Sequence, residues 1–316
     1  MRNQLAQGYA FKGNKFQNID YLEILVTGAG SVFSSVNDMS KYVSALLNNG
    51  QNQFGRILKP ETLQLMIQPQ YQLDPRISAM GLTFFLDDLA GHKIVSHDGG
   101  WPGFVSSMQI IPDADLGIVV FTNTSALAPH SIAETLLQRL LEVPDTVSQL
   151  PRPDIVPSGH LWSQLCGYYA PKKGLNTNFR LWLSCGGGVE VFVKDNHLQM
   201  RSLIGFLQKP VTLYPVDATE ALAFQGVKDK WKVSLIFKRN ANDDIECMYL
   251  AGFYGFWTLY KRSQSQSPRF WLKAILAALA VFTLAIWREQ GLLVTILAFL
   301  MWKILKINEI GRSQRQ

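Results

Sequence analysis

The stretch that decides the fold is KIVSHDGGWPGFVSSMQIIPDADLGIVVFTNTS, from Lys93 to Ser125. It contains three runs rich in apolar and β-branched residues, KIVSH, FVSSMQIIP and GIVVFTN, which are typical of β-strands. The last two runs are joined by DADL, which fits a short hairpin loop. The first run ends in a histidine, and the connection to the second holds an aspartate and three glycines beside a tryptophan. The pattern predicts an antiparallel meander with a chemically unusual first corner.

Helical patterns flank this meander on both sides. SSVNDMSKYVSALLNNG predicts a helix that Ser35 caps, with Asp38 at the third helical position and Gly50 at the end. LKPETLQLMIQ predicts a shorter helix, and an amphipathic helix is predicted over Pro129–Val143. Helices, an antiparallel sheet that also includes LTFFLDD, and a closing helix together indicate an α+β domain over residues 1–142.

The next hundred residues have a different pattern. After a proline-rich stretch at residues 143–158, which reads as a linker, eight short alternating runs follow over residues 159–262, beginning with FRLWLS. Asp195-Asn196 fits a two-residue hairpin turn. Eight such runs predict a closed antiparallel barrel or a sandwich.

The chain ends in a polar spacer (263–269), apolar segments (270–305) and a basic tail (306–316). FWLKAILAALAVFTLAIW, from Phe270 to Trp287, spans roughly 27 Å as a helix, close to the ~30 Å of a bilayer core. A second, shorter run, GLLVTILAFLMWKIL, follows. We expect a transmembrane helical hairpin. One span plus an interfacial helix is a second interpretation, and a buried soluble helix is a third.

Charge and cysteine content narrow the function classes. The net charge is +6, but residues 261–316 hold nine Lys or Arg and two acidic residues, so the rest of the chain is close to neutral. A basic tail on a neutral body favours a membrane surface over nucleic acid. Three scattered cysteines and five histidines without metal-ligand spacing predict no metal site, and no cofactor is expected.

The segment TGAGSVFSSVNDMSKYVSALLNNGQNQFGRILKPETLQLMI, followed by GLTFFLDD and the Lys93–Ser125 stretch, resembles the C-terminal half of a serine β-lactamase-like domain. That superfamily includes class C β-lactamases, penicillin-binding D-alanyl-D-alanine carboxypeptidases and related esterases. The resemblance covers roughly residues 1–142. Residues 159–262 resemble, more weakly, the small β-barrel domain that follows the hydrolase domain in many members.

The resemblance implies a role for the unusual corner. The family uses a Ser-x-x-Lys nucleophile motif, a Tyr-x-Asn or Ser-x-Asn relay motif, and a Lys-Thr-Gly or His-x-Gly triplet on an edge strand. His97-Asp98-Gly99 is similar to the triplet. By carry-over, His97 and Gly99 line the pocket, with Asp98 on the opposite strand face, Gly100 offers an oxyanion-hole N–H, and Trp101 is a possible pocket wall.

The other two motifs are missing from the sequence. No serine in residues 1–316 is followed three positions later by lysine, and no Tyr-x-Asn occurs. Ser35-Val36-Asn37 is formally a Ser-x-Asn, but its place in the family is a helix cap. We therefore expect the chain to begin about halfway into the domain and to be inactive alone.

These expectations extend to partners and stability. When complete, the protein would hydrolyse an amide or ester of a small molecule or peptide through an acyl-serine. Its domains would be extracytoplasmic by family resemblance and anchored to a membrane. Uncovering several hundred Å² of sheet costs on the order of 10 kcal/mol, so a half-domain is expected to be unstable or completed by another chain. The alternative is a non-catalytic, membrane-anchored binding or scaffold protein.

Overall fold

The computed structural model describes residues 5–23, 27–125, 128–143, 159–172, 174, 178–216, 222–228, 231–252 and 255–286. The chain divides into two compact units, residues 1–149 and 150–316. Most of the predicted linker (144–158), the second apolar run and the basic tail lie outside the described residues.

The described residues of the first unit form four α-helices and nine strands. The helices are α1 (Thr27–Gly30), α2 (Val36–Leu47), α3 (Pro60–Met66) and α4 (Ala128–Leu140). Two small hairpins are formed by β1 (Gly8–Lys12) with β2 (Lys15–Ile19) and by β3 (Gln51–Asn52) with β4 (Gly55–Arg56). The main sheet is antiparallel and consists, in spatial order, of β5 (Ala79–Met80), β6 (Phe85–Leu89), β7 (His92–Trp101), β8 (Phe104–Ile111) and β9 (Leu116–Thr122).

The main sheet has a separate hydrophobic cluster on each face. On one face, Val95 and Met108 pack with Val43 and Leu46 of α2 and with Leu63 of α3. On the other face, the cluster joins strand and helix residues: Leu89, Ile94, Ile111 and Leu137. Ile94 and Val95 are neighbours in β7 and belong to different clusters, as strand alternation requires. The predicted meander and its flanking helices are therefore confirmed.

Helix α2 begins as predicted. The Ser35 hydroxyl accepts a hydrogen bond from the Asp38 N–H at 3.1 Å and donates to Asp38 Oδ2 at 2.8 Å. The chain then leaves the helix through Gly50, whose φ is +83°. A Cβ at Gly50 would lie 2.2 Å from the Leu58 carbonyl oxygen, so this turn requires glycine.

The second unit is built on a closed eight-stranded antiparallel barrel, which is the closed form of the two predicted architectures. Its strands, in chain and spatial order, are β10 (Gly167–Ala170), β11 (Val189–Lys194), β12 (His197–Ser202), β13 (Val211–Pro215), β14 (Ala223–Lys228), β15 (Trp231–Arg239), β16 (Ile245–Gly252) and β17 (Gly255–Arg262). Two short helices, α5 (Gly159–Leu165) and α6 (Phe179–Cys185), accompany it.

One predicted strand of this unit is wrong. FRLWLS forms α6, because Asn178 caps the first turn by accepting from the Arg180 N–H, and Gly186 ends the helix in the left-handed region. The eighth strand of the barrel is instead β10. The hairpin turn at Asp195-Asn196 is confirmed, since both residues have positive φ (50° and 57°), as a type I′ turn requires.

The predicted transmembrane hairpin is not supported. Among the described residues, no helix has the length and apolar character needed to cross a bilayer. The helix that covers the first apolar run, α7 (Pro268–Ile286), carries Arg269 and Lys273 in its first two turns. The Arg269 side chain donates to the carbonyl oxygen of Ser202 in β12 at 2.6 Å, so the helix begins attached to the outside of the barrel.

The cap of α2 gives a direct test of this local analysis. Ser35→Ala removes a side-chain acceptor from the first turn, and we expect it to lower the free energy of unfolding by about 1 kcal/mol. Ser34→Ala is the matched control, because Ser34 Oγ donates to the Ser35 carbonyl and, among the hydrogen bonds of the described residues, accepts from no N–H group of the first helical turn. Urea unfolding followed by circular dichroism measures both, and equal losses in the two variants would contradict the cap assignment.

Candidate active-site wall

His97 lies on the sheet face that α2 and α3 cover, at the point where their cover ends. It is two residues beyond buried Val95 and directly opposite Met108, which is 4% exposed. His97 itself is exposed, and its ring centroid lies 6.4 Å from that of Phe85. The hydrophobic core of this face thus includes Val95 and Met108 but not His97. The imidazole of His97 is therefore available to a ligand.

Gly99 follows His97 on the same face and adds no side chain to the surface of the strand. It pairs with Ser106, and a Cβ at Gly99 would lie 2.4 Å from Ser106 Oγ. Gly100 pairs with Val105 and is exposed. Two adjacent glycines beyond the imidazole let a ligand approach the backbone closely, which is the property that a pocket-lining strand needs.

The tip of the β7–β8 hairpin is held by residues from both ends of the unit. The Trp101 indole N–H donates to the Leu22 carbonyl at 2.8 Å, and the Gly103 N–H donates to Ser125 Oγ at 2.9 Å. Gly103 has φ +85°, and a Cβ there would lie 2.9 Å from Gly8 Cα in β1. Trp101 is therefore half-buried and anchored, and the N-terminal segment supports the wall.

Asp98 points to the opposite face, as strand alternation predicts, and forms a contact there that the sequence analysis missed. Its Oδ2 lies 2.9 Å from Nδ1 of His130 in α4. The side chains are 27% and 28% exposed, so the ion pair is largely shielded from water. Gln109 lies beside it, with its side-chain nitrogen 3.4 Å from His130 Nδ1 and 3.3 Å from the His130 carbonyl oxygen.

This contact changes the protonation of His130. Burial lowers its pKa, but the hydrogen bond and negative charge of Asp98, with smaller contributions from Glu134 and Asp87, outweigh burial and raise the pKa above its usual value. Asp98 Oδ1 and the facing Ser107 Oγ are buried and have no hydrogen-bond partner among the described residues. The ion pair therefore supplies the interaction that offsets burial of the Asp98 carboxylate.

Within the described part of the chain, neither Ser35 nor the cysteines replace the missing nucleophile, and no metal cluster occurs. The Ser35 hydroxyl is engaged as a helix cap, in agreement with its structural interpretation. The cysteines are all free thiols, and burial raises the pKa of Cys166 to about 11 and that of Cys185 to about 12, so both stay protonated near neutral pH. No group of three or more His, Cys, Asp or Glu residues with metal-binding geometry occurs within the described part of the chain.

The Asp98–His130 pair predicts a measurable pH response. A raised folded-state pKa means that protonated His130 stabilises the fold fully below its unfolded pKa, near 6.5, and that this stabilisation is lost as the pH rises through the folded pKa. We expect Asp98→Asn to lower the pKa of His130 in a histidine NMR titration and to destabilise the protein more at acidic than at alkaline pH.

Asp113→Asn is the matched control for this variant. It removes a carboxylate 2.6 Å from His92, on the exposed surface at the other end of β7, and should leave the His130 titration unchanged. An unchanged His130 pKa in Asp98→Asn would contradict the ion pair.

Part of the chain is similar to known proteins. Residues 2–142 match the family model for beta-lactamase. The chain is 29% identical over 154 residues to unguisins hydrolase ungD' of Aspergillus campestris (strain IBT 28561). The match covers 44% of this chain and 28% of that protein. It is 26% identical over 144 residues to unguisins hydrolase ungD of Aspergillus violaceofuscus (strain CBS 115571), with 38% and 25% covered. The chain thus spans about a quarter of the length of these relatives.

Two solved structures are also similar to the chain. The octameric penicillin-binding protein homologue from Pyrococcus abyssi matches with a TM-score of 0.42 and 20% identity, covering 81% of this chain and 53% of that one. SurE matches with a TM-score of 0.48 and 17% identity, covering 81% and 55%. These values are too low to support an assignment, and the relationship of the barrel to the family's small barrel domain stays a prediction. The comparisons therefore show that residues 2–142, a little under half of the chain, are similar to the beta-lactamase family.

Proposed function

We propose that residues 1–142 form one wall of the active site of a serine hydrolase that cleaves an amide or ester through an acyl-serine intermediate. The observation that carries this proposal is the position of His97, exposed at the end of the α2/α3-covered face and followed by two glycines. An exposed imidazole beside two glycines, which leave the backbone without side-chain cover, suits the binding and polarisation of a substrate carbonyl or carboxylate.

The chemistry divides between this wall and groups outside it. The backbone N–H of Gly100 is one donor to the developing oxyanion, and the second donor is the N–H of the nucleophilic serine. The serine and its lysine base come from sequence outside residues 1–316, in a longer polypeptide or a second chain. The segment that carries this serine and lysine would be helical, and it would cover the exposed part of the sheet face beyond Met108.

Exposed apolar side chains support a completing polypeptide. Val32 is 83% exposed, Phe33 55%, Leu65 50% and Leu82 42%. These large side chains belong to the loop before α2, to α3 and to the segment before β6. A partner that covers them would gain about 25 cal/mol for each Å² of apolar surface removed from water.

The substrate class follows from the third motif and from the relatives. A histidine in place of the lysine favours an esterase or peptidase type of activity over efficient β-lactam hydrolysis. The two fungal relatives are named as hydrolases of unguisins, and we propose that this chain belongs to an enzyme acting on a comparable small-molecule or peptide amide or ester. By family resemblance, we place its domains outside the cytoplasm.

The alternative is a non-catalytic binding or scaffold protein. It is favoured by one specific observation, the lack of a Ser-x-x-Lys and a Tyr-x-Asn in residues 1–316. The DNA upstream of the Met1 codon separates the two proposals. In-frame Ser-x-x-Lys and Tyr-x-Asn motifs there support the enzyme, and a stop codon without a co-expressed partner gene carrying them supports the scaffold.

The His97 role is tested on the extended or partner-completed protein. We expect His97→Ala to lower kcat/KM for a p-nitrophenyl ester about 100-fold, because it removes a group that polarises the substrate. His92→Ala is the matched control at the far end of the same strand, where the imidazole bonds Asp113 at 2.6 Å, and it should stay within about twofold of wild type. Wild-type kinetics in a folded His97→Ala protein would contradict the proposed wall.

A further inference from the structure

A pocket of about 240 Å³ lies on the outside of the barrel, where the first turn of α7 meets β10, β11 and β12. Its lining includes Glu190 and Lys194 of β11, Arg201 of β12, and Arg269 and Lys273 of α7. All of these residues belong to the second unit, so the pocket is separate from the candidate active-site wall.

The charge of this pocket is strongly positive. Four cationic side chains line it, and Glu190 is the carboxylate among the described lining residues. Glu190 is already paired, because Arg201 donates to its Oε2 from Nε at 2.9 Å and from Nη2 at 2.8 Å. Asp195 lies 3.9 Å from Lys194 at the exposed edge. With four cations and one carboxylate in its lining, the pocket carries a net positive charge.

Arg269 has unused binding capacity at this site. One of its nitrogens, Nη2, donates to the Ser202 carbonyl at 2.6 Å. Its Nε is buried, lies 4.0 Å from Glu190 Oε2 and has no hydrogen-bond partner among the described residues. A buried guanidinium N–H without an acceptor is costly, and an anion in the pocket would satisfy it.

The direction in which the pKa of Arg269 is shifted agrees with this geometry. Burial, followed by the charge of Arg201, lowers the pKa of Arg269, while Glu190 only partly compensates. Cys166 also lines the pocket, but burial raises the pKa of its thiol to about 11, so it adds no negative charge near neutral pH. The Arg201 guanidinium lies 4.3 Å from the centre of the Phe192 ring, and this cation–π contact joins two residues of the pocket lining.

We propose that this pocket binds a phosphate group. The group fits the charge, because a phosphate monoester carries close to two negative charges and three acceptor oxygens, which suits the net positive charge of a lining with four cations and one carboxylate. A single carboxylate would leave much of that excess unbalanced. Two sources carry such a group: a soluble phosphate monoester, or the headgroup of phosphatidic acid, whose chains would lie along α7, where Trp271 is 56% and Ile275 is 53% exposed.

The test measures binding to the 316-residue chain. Glycerol phosphate and inorganic phosphate are titrated by calorimetry, and vesicles of phosphatidylcholine with and without phosphatidic acid are used in cosedimentation. We expect binding in at least one arm. Binding of glycerol phosphate or inorganic phosphate indicates the soluble source, whereas binding to phosphatidic acid vesicles alone indicates the lipid source.

Charge-matched variants locate the site. Arg269→Gln with Lys273→Gln should weaken binding at least about tenfold. Arg180→Gln with Lys232→Gln removes the same charge from exposed positions away from the pocket and should change it less than about twofold. If the first pair lowers the melting temperature, Lys194→Gln with Lys273→Gln is used instead, because it leaves every arginine contact in place.

Three results would overturn the proposal. They are no binding to any phosphate probe, equal losses in the pocket and control variants, and acetate binding as tightly as phosphate. None of these results bears on the candidate active-site wall, which shares no residue with the pocket.

Discussion

The pairing register of β7 with β8 is the constraint on which the candidate site depends. In this register, Asp98 lies opposite Ser107 and His97 lies opposite Met108. One face of β7 therefore packs towards α4, and the other continues from the core beneath α2 and α3 to the exposed His97. A slip by one residue would bury the imidazole under α4 and expose the carboxylate. The Asp98–His130 ion pair opposes that slip, because it links β7 to α4 on the face opposite His97.

The sequence was sufficient for the parts of the fold whose signals are local. The cap at Ser35, the turn at Asp195-Asn196 and the alternation of His97 and Asp98 each depend on residues within a few positions of one another. FRLWLS was misassigned because its apolar spacing suits either a strand or a helix, and the decision comes from Asn178 before it and Gly186 after it. The His97 role in catalysis stays a prediction.

Long-range contacts were beyond the sequence analysis. Asp98 and His130 are 32 residues apart, and nothing in either local pattern identifies the other as its partner. The same holds for Trp101 and Leu22, which are 79 residues apart. The apolar tail misled in a different way. Hydropathy predicted a spanning hairpin, whereas the start of α7 is attached to the barrel through Arg269, a contact that a hydropathy average cannot register.

The central proposal is that this chain supplies one wall of a hydrolase active site and that the nucleophilic serine lies outside residues 1–316. Intact-mass spectrometry of the 316-residue protein after incubation with a fluorescent penicillin tests it most directly. The absence of a Ser-x-x-Lys motif predicts an unmodified mass. A stoichiometric penicilloyl adduct on a serine of this chain would contradict the claim.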